Sequence, residues 1–241
     1  NMVGKMHRIQ RSNATEQIAR RGPDDRGGWM NDFDGLGHRR LSIIDTSYNA
    51  SQPMKDASGR YRIVYNGEVY NFRELKKDLI SHGYAFHSDS DTEVLLYAYI
   101  HYKEKCLDLL NGFFAFSIYD EQENSLFMAR DRYGIKPLYY LDDEDKLLFA
   151  SDMHSMLAYG IERELDLESL YTYLQLNYTP APDTMIKGVK MLMPGHYAFI
   201  DKKGLKIHEY YQLPDTSAKL LNQQGSYENQ QRHLRGLMEE S

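Results

Sequence analysis

The sequence predicts an α+β fold in which antiparallel sheets are layered with helices. Three observations carry this: repeated hairpin-like pairs of apolar runs, helical segments with marked starts between them, and a run apolar on both faces, Phe113-Phe114-Ala115-Phe116-Ser117-Ile118-Tyr119, as a sheet covered on each side requires. The 241 residues suit one large domain, or one domain and the start of another, and 41% apolar with 27% charged residues is ordinary for a soluble globular chain. A net charge of −6 gives no electrostatic footprint for nucleic acid or a membrane surface, so small molecules and proteins are the expected partners. The single cysteine, Cys106, excludes a disulfide framework and a cysteine metal site. No signal peptide precedes the first helix, and a reducing cytoplasm is the expected compartment.

Taken in order, Met2, Met6, Ile9 and Ile18 suggest an opening helix. The segment Arg20 to Gly28 holds a proline and three glycines and is expected to be a loop in which Arg and Asp form a solvated charge cluster. A hairpin follows, from Trp29-Met30 through a turn at 31–35 to the arm Arg40-Leu41-Ser42-Ile43-Ile44-Asp45. An arginine in an otherwise apolar strand needs a carboxylate for its planar fork, so Arg40 is expected either in a buried ion pair or waiting for an anionic ligand, with His38 and Arg39 structural.

The central stretch runs from Tyr61 to Glu93. Ile63-Val64-Tyr65 reads as a buried strand, and Asn66-Gly67 as the tight corner that ends it. Gly67 lets its backbone N–H approach a ligand and Asn66 adds side-chain donors, so this corner could hold an oxyanion. Asn71 with Glu74 reads as a capping box for a helix carrying Phe72, Leu75 and Leu79 on one face and ending at Gly83; Tyr84 to His87 reads as a short strand. Ser90-Asp91-Thr92-Glu93 reads as a second box opening a helix over Val94 to Lys103, which sets the carboxylates Glu68 and Asp91 at the ends of neighbouring elements. A calcium loop over 89–93 is excluded, because its sixth position is Val94 rather than glycine. Strands are expected at Phe113–Tyr119, Ser125–Ala129, Lys136–Tyr140, Leu147–Ala150, Lys190–Ile200 and Lys206–Tyr211, and helices at Asp152–Tyr159 and Leu167–Leu176.

Eight strings in order, among them Arg21-Gly22-Pro23-Asp24, Arg40-Leu41-Ser42-Ile43-Ile44-Asp45, Tyr65-Asn66-Gly67-Glu68-Val69-Tyr70-Asn71-Phe72, Ser90-Asp91-Thr92-Glu93 and Arg130-Asp131-Arg132-Tyr133-Gly134-Ile135-Lys136-Pro137-Leu138, resemble the class II glutamine amidotransferase domain, specifically the glutaminase half of glutamine-hydrolysing asparagine synthetases. The resemblance implies an N-terminal nucleophile hydrolase fold, a four-layer α/β/β/α sandwich of two antiparallel sheets. It implies that Arg40 clamps the glutamine α-carboxylate, that Asp91 with Glu68 holds the α-ammonium, that Asn66 and the Gly67 N–H form the oxyanion hole, and that Ile43 and Ile44 line the pocket. It further implies domain limits of 1–212 for the glutaminase, 213–225 for a linker and 226–241 for the first helix of a synthetase domain. The expected partners are L-glutamine and the chain's own synthetase domain, with a homodimer as the candidate assembly. No cofactor is expected in this domain; ATP and magnesium are expected in the synthetase domain, whose Ser-Gly-Gly-x-Asp-Ser loop is not in these residues.

The family's nucleophile is a cysteine at the mature N-terminus, whose α-amino group acts as base. Asn1-Met2-Val3-Gly4 supplies no such group, and Cys106 does not match its position, so the expected explanation is a start shortened by about one strand and its turn. The alternatives are a pseudo-glutaminase that binds glutamine without hydrolysing it, and a glutaminase serving another carboxylate acceptor.

Overall fold

Residues 14–17, 19, 22–31, 34–40, 51–143, 146–213 and 226–240 are described in the computed structural model. They form β1 (Asp25–Met30), β2 (Gly35–Arg40), β3 (Met54–Lys55), β4 (Tyr61–Val69), α1 (Phe72–Ser81), α2 (Asp91–Tyr102), a 3-10 turn (Lys103–Lys105) and α3 (Cys106–Leu109). Then come β5 (Gly112–Asp120), β6 (Ser125–Arg130), β7 (Tyr139–Asp143), β8 (Lys146–Ala150), α4 (Met153–Tyr159), α5 (Leu167–Leu176), β9 (Val189–Met191), β10 (His196–Asp201), β11 (Gly204–Glu209) and α6 (Tyr227–Glu240). Two compact units, 1–211 and 212–241, divide the chain.

Alternation along the strands builds the layers. In β4, Tyr61, Ile63, Tyr65 and Val69 enter one core and Val64 another; β5 sends Phe114, Phe116 and Ile118 to the first and Ala115 and Tyr119 to the second. These strands lie in a six-stranded antiparallel sheet of order β11-β10-β6-β5-β4-β3. Its first face is covered by Phe72, Leu75 and Leu79 of α1 and by Val94, Leu95 and Leu96 of α2. Its second face packs on Leu36 of β2 and Phe149 of β8, and so on the β1-β2 ribbon and a three-stranded sheet of order β8-β7-β9. The outer face of that smaller sheet, through Leu148, Ala150 and Val189, meets Met156 and Tyr159 of α4 and Ala14. Three cores separate four layers in the order α/β/β/α, which is the fold the resemblance implied. Each fully buried Leu, Ile or Phe in them contributes about 1.5–3 kcal/mol relative to exposure.

Several local expectations are corrected. Asp25 to Gly28 is not loop but the start of β1, because each residue finds a partner in β2, from Asp25↔Arg40 to Gly28↔Gly37. Glycine here answers a packing need: a Cβ on Gly27 would lie 1.7 Å from the Gln52 carbonyl oxygen. Arg26 and Arg39 both pair with Glu16 at 2.7 Å, a carboxylate outside the expected cluster. Tyr84 to His87 is irregular, and Tyr84 and Phe86 instead pack their rings against the first core. The strand expected from Lys136 starts at Tyr139, since 134–136 is folded over Arg130 and Asp131: the Arg130 guanidinium donates to the carbonyls of Gly134, Lys136 and Leu192, and Asp131 accepts from the N–H groups of Tyr133, Ile135 and Lys136. Lys190–Ile200 is two strands in different sheets, broken at Pro194-Gly195, where Gly195 has a positive φ of 67°. Met2, Met6, Ile9 and Ile18, which suggested the opening helix, lie outside the described residues, as do Arg20 and Arg21.

Candidate active site

The outer edge of β4 is where the candidate residues gather. The strand does not turn at Asn66-Gly67 as expected; it continues to Val69, because β5 keeps pairing through Gly67↔Phe114, Glu68↔Phe113 and Val69↔Gly112. Gly67 is required by closeness rather than by a turn, since a Cβ there would lie 2.2 Å from the Phe113 carbonyl oxygen. The chain turns at Tyr70-Asn71 instead. Asn71 does occupy the N-cap position of α1, but its side chain bonds across to Leu109 O and Asn111 N, at 2.9 and 3.0 Å, in place of a capping bond.

Antiparallel pairing fixes which groups face outward. Tyr70 N bonds to Asn111 O on the β5 side and Asp56 N bonds to Tyr61 O on the other, so the N–H and C=O groups of the odd-numbered residues of β4 point away from β5. β3 covers that edge only as far as Ile63. Beyond it, side chains take over. Gln52 Oε1 accepts from Tyr65 N at 2.6 Å, His38 Nε2–H donates to Tyr65 O at 3.1 Å, and Asp91 Oδ2 accepts from Val69 N at 3.1 Å and from the Tyr65 hydroxyl at 2.9 Å. The alternation sets Gly67 N–H on the same edge, between the two capped positions.

Asn66 and Glu68, one step out of phase, share the opposite pleat of the strand with Val64, toward the second core. Both are half-buried. Among the described residues neither side chain takes a hydrogen bond or an ion pair, so the amide and the carboxylate are both available to a ligand.

Asp91 stands at the start of α2, where Ser90 caps the helix by accepting from Thr92 N at 3.0 Å. Glu93 does not close the expected box; it binds the N–H groups of His87 and Ser88 and the Ser88 hydroxyl. Asp91 is only 5% exposed and, among the described residues, no cation touches it. Burial raises its pKa, the bonds from Val69 N–H and the Tyr65 hydroxyl offset part of that, and the Glu68 charge adds to it. Burial and the Asp91 charge together push the Tyr65 phenol well above the ordinary tyrosine value, so it remains a donor. Glu68 is thus near enough for its charge to act on Asp91, and among the described residues no positive charge is paired with either carboxylate.

β2 reaches this corner through His38, and Arg40 ends that strand in register with Asp25. The Arg40 side chain, Ile43 and Ile44 lie outside the described residues. Cys106 is fully buried in the first core, and burial raises its thiol pKa far from the nucleophilic range. Sequence reasoning missed Gln52 and Tyr65 as parts of this site. Tyr65 stood inside the string that carried the resemblance, whereas Gln52 sits in a segment with no periodicity to mark it.

The model of the glutamine amidotransferase domain matches residues 3–211, nearly all of the first unit. The chain belongs to this family. Relatives of this amidotransferase domain include a protein named glutamine-hydrolysing asparagine synthetase 1 from Bacillus subtilis, 43% identical over 180 residues, covering 75% of this chain and 28% of that protein. A protein named amidase chry2 from Gibberella zeae is 41% identical over 207 residues, covering 84% of this chain and 30% of that one. The chain therefore spans about a third or less of the length of these curated relatives. Among solved structures, the allosteric regulatory enzyme of purine biosynthesis superposes with a TM-score of 0.65 at 17% identity, covering 88% of this chain and 49% of that one. The glutamine phosphoribosylpyrophosphate amidotransferase of B. subtilis, solved with ADP and GMP, gives 0.56 at 22% identity over 75% of this chain and 35% of that one. These two likenesses speak for the shared fold.

Proposed function

We propose that this amidotransferase domain hydrolyses glutamine to glutamate and ammonia, and that the ammonia amidates aspartate in an ATP-dependent synthetase half. The observation that carries the reading is the pair Asp91 and Glu68: a buried carboxylate with no cation beside it among the described residues is costly, and the α-ammonium of an amino acid supplies such a charge. Arg40 then takes the α-carboxylate with its planar fork, and Ile43 and Ile44 line the pocket. Asn66 Nδ2 and Gly67 N–H receive the amide oxygen as it gains charge. Donors fixed in place before reaction stabilise that charge without reorganising, which is the largest contribution such a site makes. The nucleophile that the resemblance calls for, an N-terminal cysteine, is not among these 241 residues.

ATP and magnesium belong, on this reading, to the synthetase half, and no residue here is assigned to them. Among the described residues no helix is long and apolar enough to cross a membrane; a cytoplasmic location and a homodimer remain parts of the proposal. A second reading keeps the glutaminase and changes the acceptor; relatives named amidases, at 41% and 39% identity, favour it.

The test is ammonia release from glutamine by the full-length protein, followed by product analysis with aspartate, ATP and magnesium. Glutamine-dependent asparagine formation is expected. Hydrolysis without asparagine would move the second reading to the front, and no hydrolysis would leave a glutamine-binding pseudo-glutaminase.

A further inference from the structure

We propose that Gln52 is a positioning residue for the reaction, holding the β4 edge so that Gly67 N–H stays aimed at the oxyanion. The proposal rests on the glutaminase reading of the site. Among the described residues, β4 from Tyr65 to Val69 has a strand neighbour on one side only. A strand paired on one side twists more freely than one held in a ladder, yet a catalytic donor has to be kept within about 0.5 Å of its productive place. The edge is pinned at two points, each two residues from Gly67. Asp91 holds Val69 N and Gln52 holds Tyr65 N. His38 adds a bond to the Tyr65 carbonyl, and Asp91 is also assigned to the substrate, which leaves Gln52 as the pin that holds a β4 N–H without a role toward the substrate.

Gln52 is itself firmly held. Its side chain is buried, its Nε2 lies 3.4 Å from Thr92 Oγ1 beside Asp91, and its backbone carbonyl occupies the space a Cβ on Gly27 would need. Ser51, just before it, donates to Asp25 at 2.7 Å. Gln52 therefore ties β1, the β4 edge and the start of α2 to one point. A side-chain acceptor also does what a further strand could not. A strand bonded at Tyr65 would continue the ladder to Gly67 and consume its N–H, whereas one amide oxygen satisfies Tyr65 and stops.

Gln52→Met keeps the length and removes the acceptor. In the full-length protein it is expected to lower kcat about 10-fold with KM within about twofold of wild type, since small misplacement of a catalytic group acts on the rate. Amide hydrogen exchange across 65–69 should quicken. Gln52→Glu, which retains the oxygen, should recover most of the rate. Unchanged kcat in a folded Gln52→Met protein, unchanged exchange at 65–69, or equal losses in kcat and affinity would overturn the proposal. Should Gln52→Met not fold, Gln52→Asn, one methylene short of Tyr65 N, gives the same readouts with the same meaning. If the wild-type protein fails to hydrolyse glutamine, the glutaminase reading falls separately, and exchange at 65–69 alone decides whether Gln52 holds the edge.

Discussion

Replacing Asn66 with alanine is expected to lower the rate of glutamine hydrolysis about 10²–10³-fold while KM stays near its wild-type value. The separation follows from where charge appears. The amide oxygen of bound glutamine is nearly neutral, so a donor aimed at it contributes little to affinity; in the tetrahedral intermediate the same oxygen is an anion and the donor contributes most. The Asn66 amide bonds no other described side chain, so its removal strands no partner, and the fold should tolerate the change with little loss of stability. Steady-state kinetics on the purified variant give the answer. A loss confined to KM would assign Asn66 to substrate binding and remove it from the oxyanion hole.

Asp91→Asn should act in the opposite sense, raising KM for glutamine about 10–100-fold, the worth of one hydrogen bond to a charged group. Asparagine still offers an oxygen to the Tyr65 hydroxyl and to Val69 N–H, so the local bonds survive and only the charge goes. The pH dependence has a definite sign. Because the Asp91 pKa is raised in the folded protein, glutamine binding should weaken as pH falls through that raised value, above the usual aspartate range. The same shift means that ionising Asp91 costs the fold stability, a cost that appears as pH rises from the unfolded value through the folded one. Asp91→Asn does not bear it, and should be at least as thermostable as wild type at neutral pH. A variant with unchanged KM, or a wild-type KM flat across the acidic range, would remove Asp91 from the ammonium site.

The layered architecture was legible because strand alternation is a direct consequence of two-sided burial, and β5 shows it at Phe114, Ala115, Phe116, Ile118 and Tyr119. What the sequence could not reveal was long-range pairing. Asn66-Gly67 carries the local signature of a turn, yet β5 lies 45 to 50 residues away in the chain and extends the ladder straight through it. The same cause hid β1, whose glycines read as breakers until their partners in β2 and the Gln52 carbonyl explain them. At the site, Asn66, Gly67, Glu68 and Asp91 were singled out from residue type and order. Gln52 was not, since a buried glutamine acting as a substitute for a strand leaves no periodic trace. Asp91 was assigned to the ligand, but its second bond, to the Tyr65 hydroxyl, depends on a contact 26 residues away that only the fold creates.

The most direct test of the glutaminase site is the intact mass of the full-length protein before and after treatment with a glutamine analogue bearing an electrophile at the side-chain carbonyl, followed by peptide mapping. One covalent adduct is expected, on a cysteine upstream of Asn1, protected by excess glutamine and absent when the Asp91→Asn protein is treated at low analogue concentration. No adduct in the folded protein, or an adduct on the buried Cys106, would contradict the account.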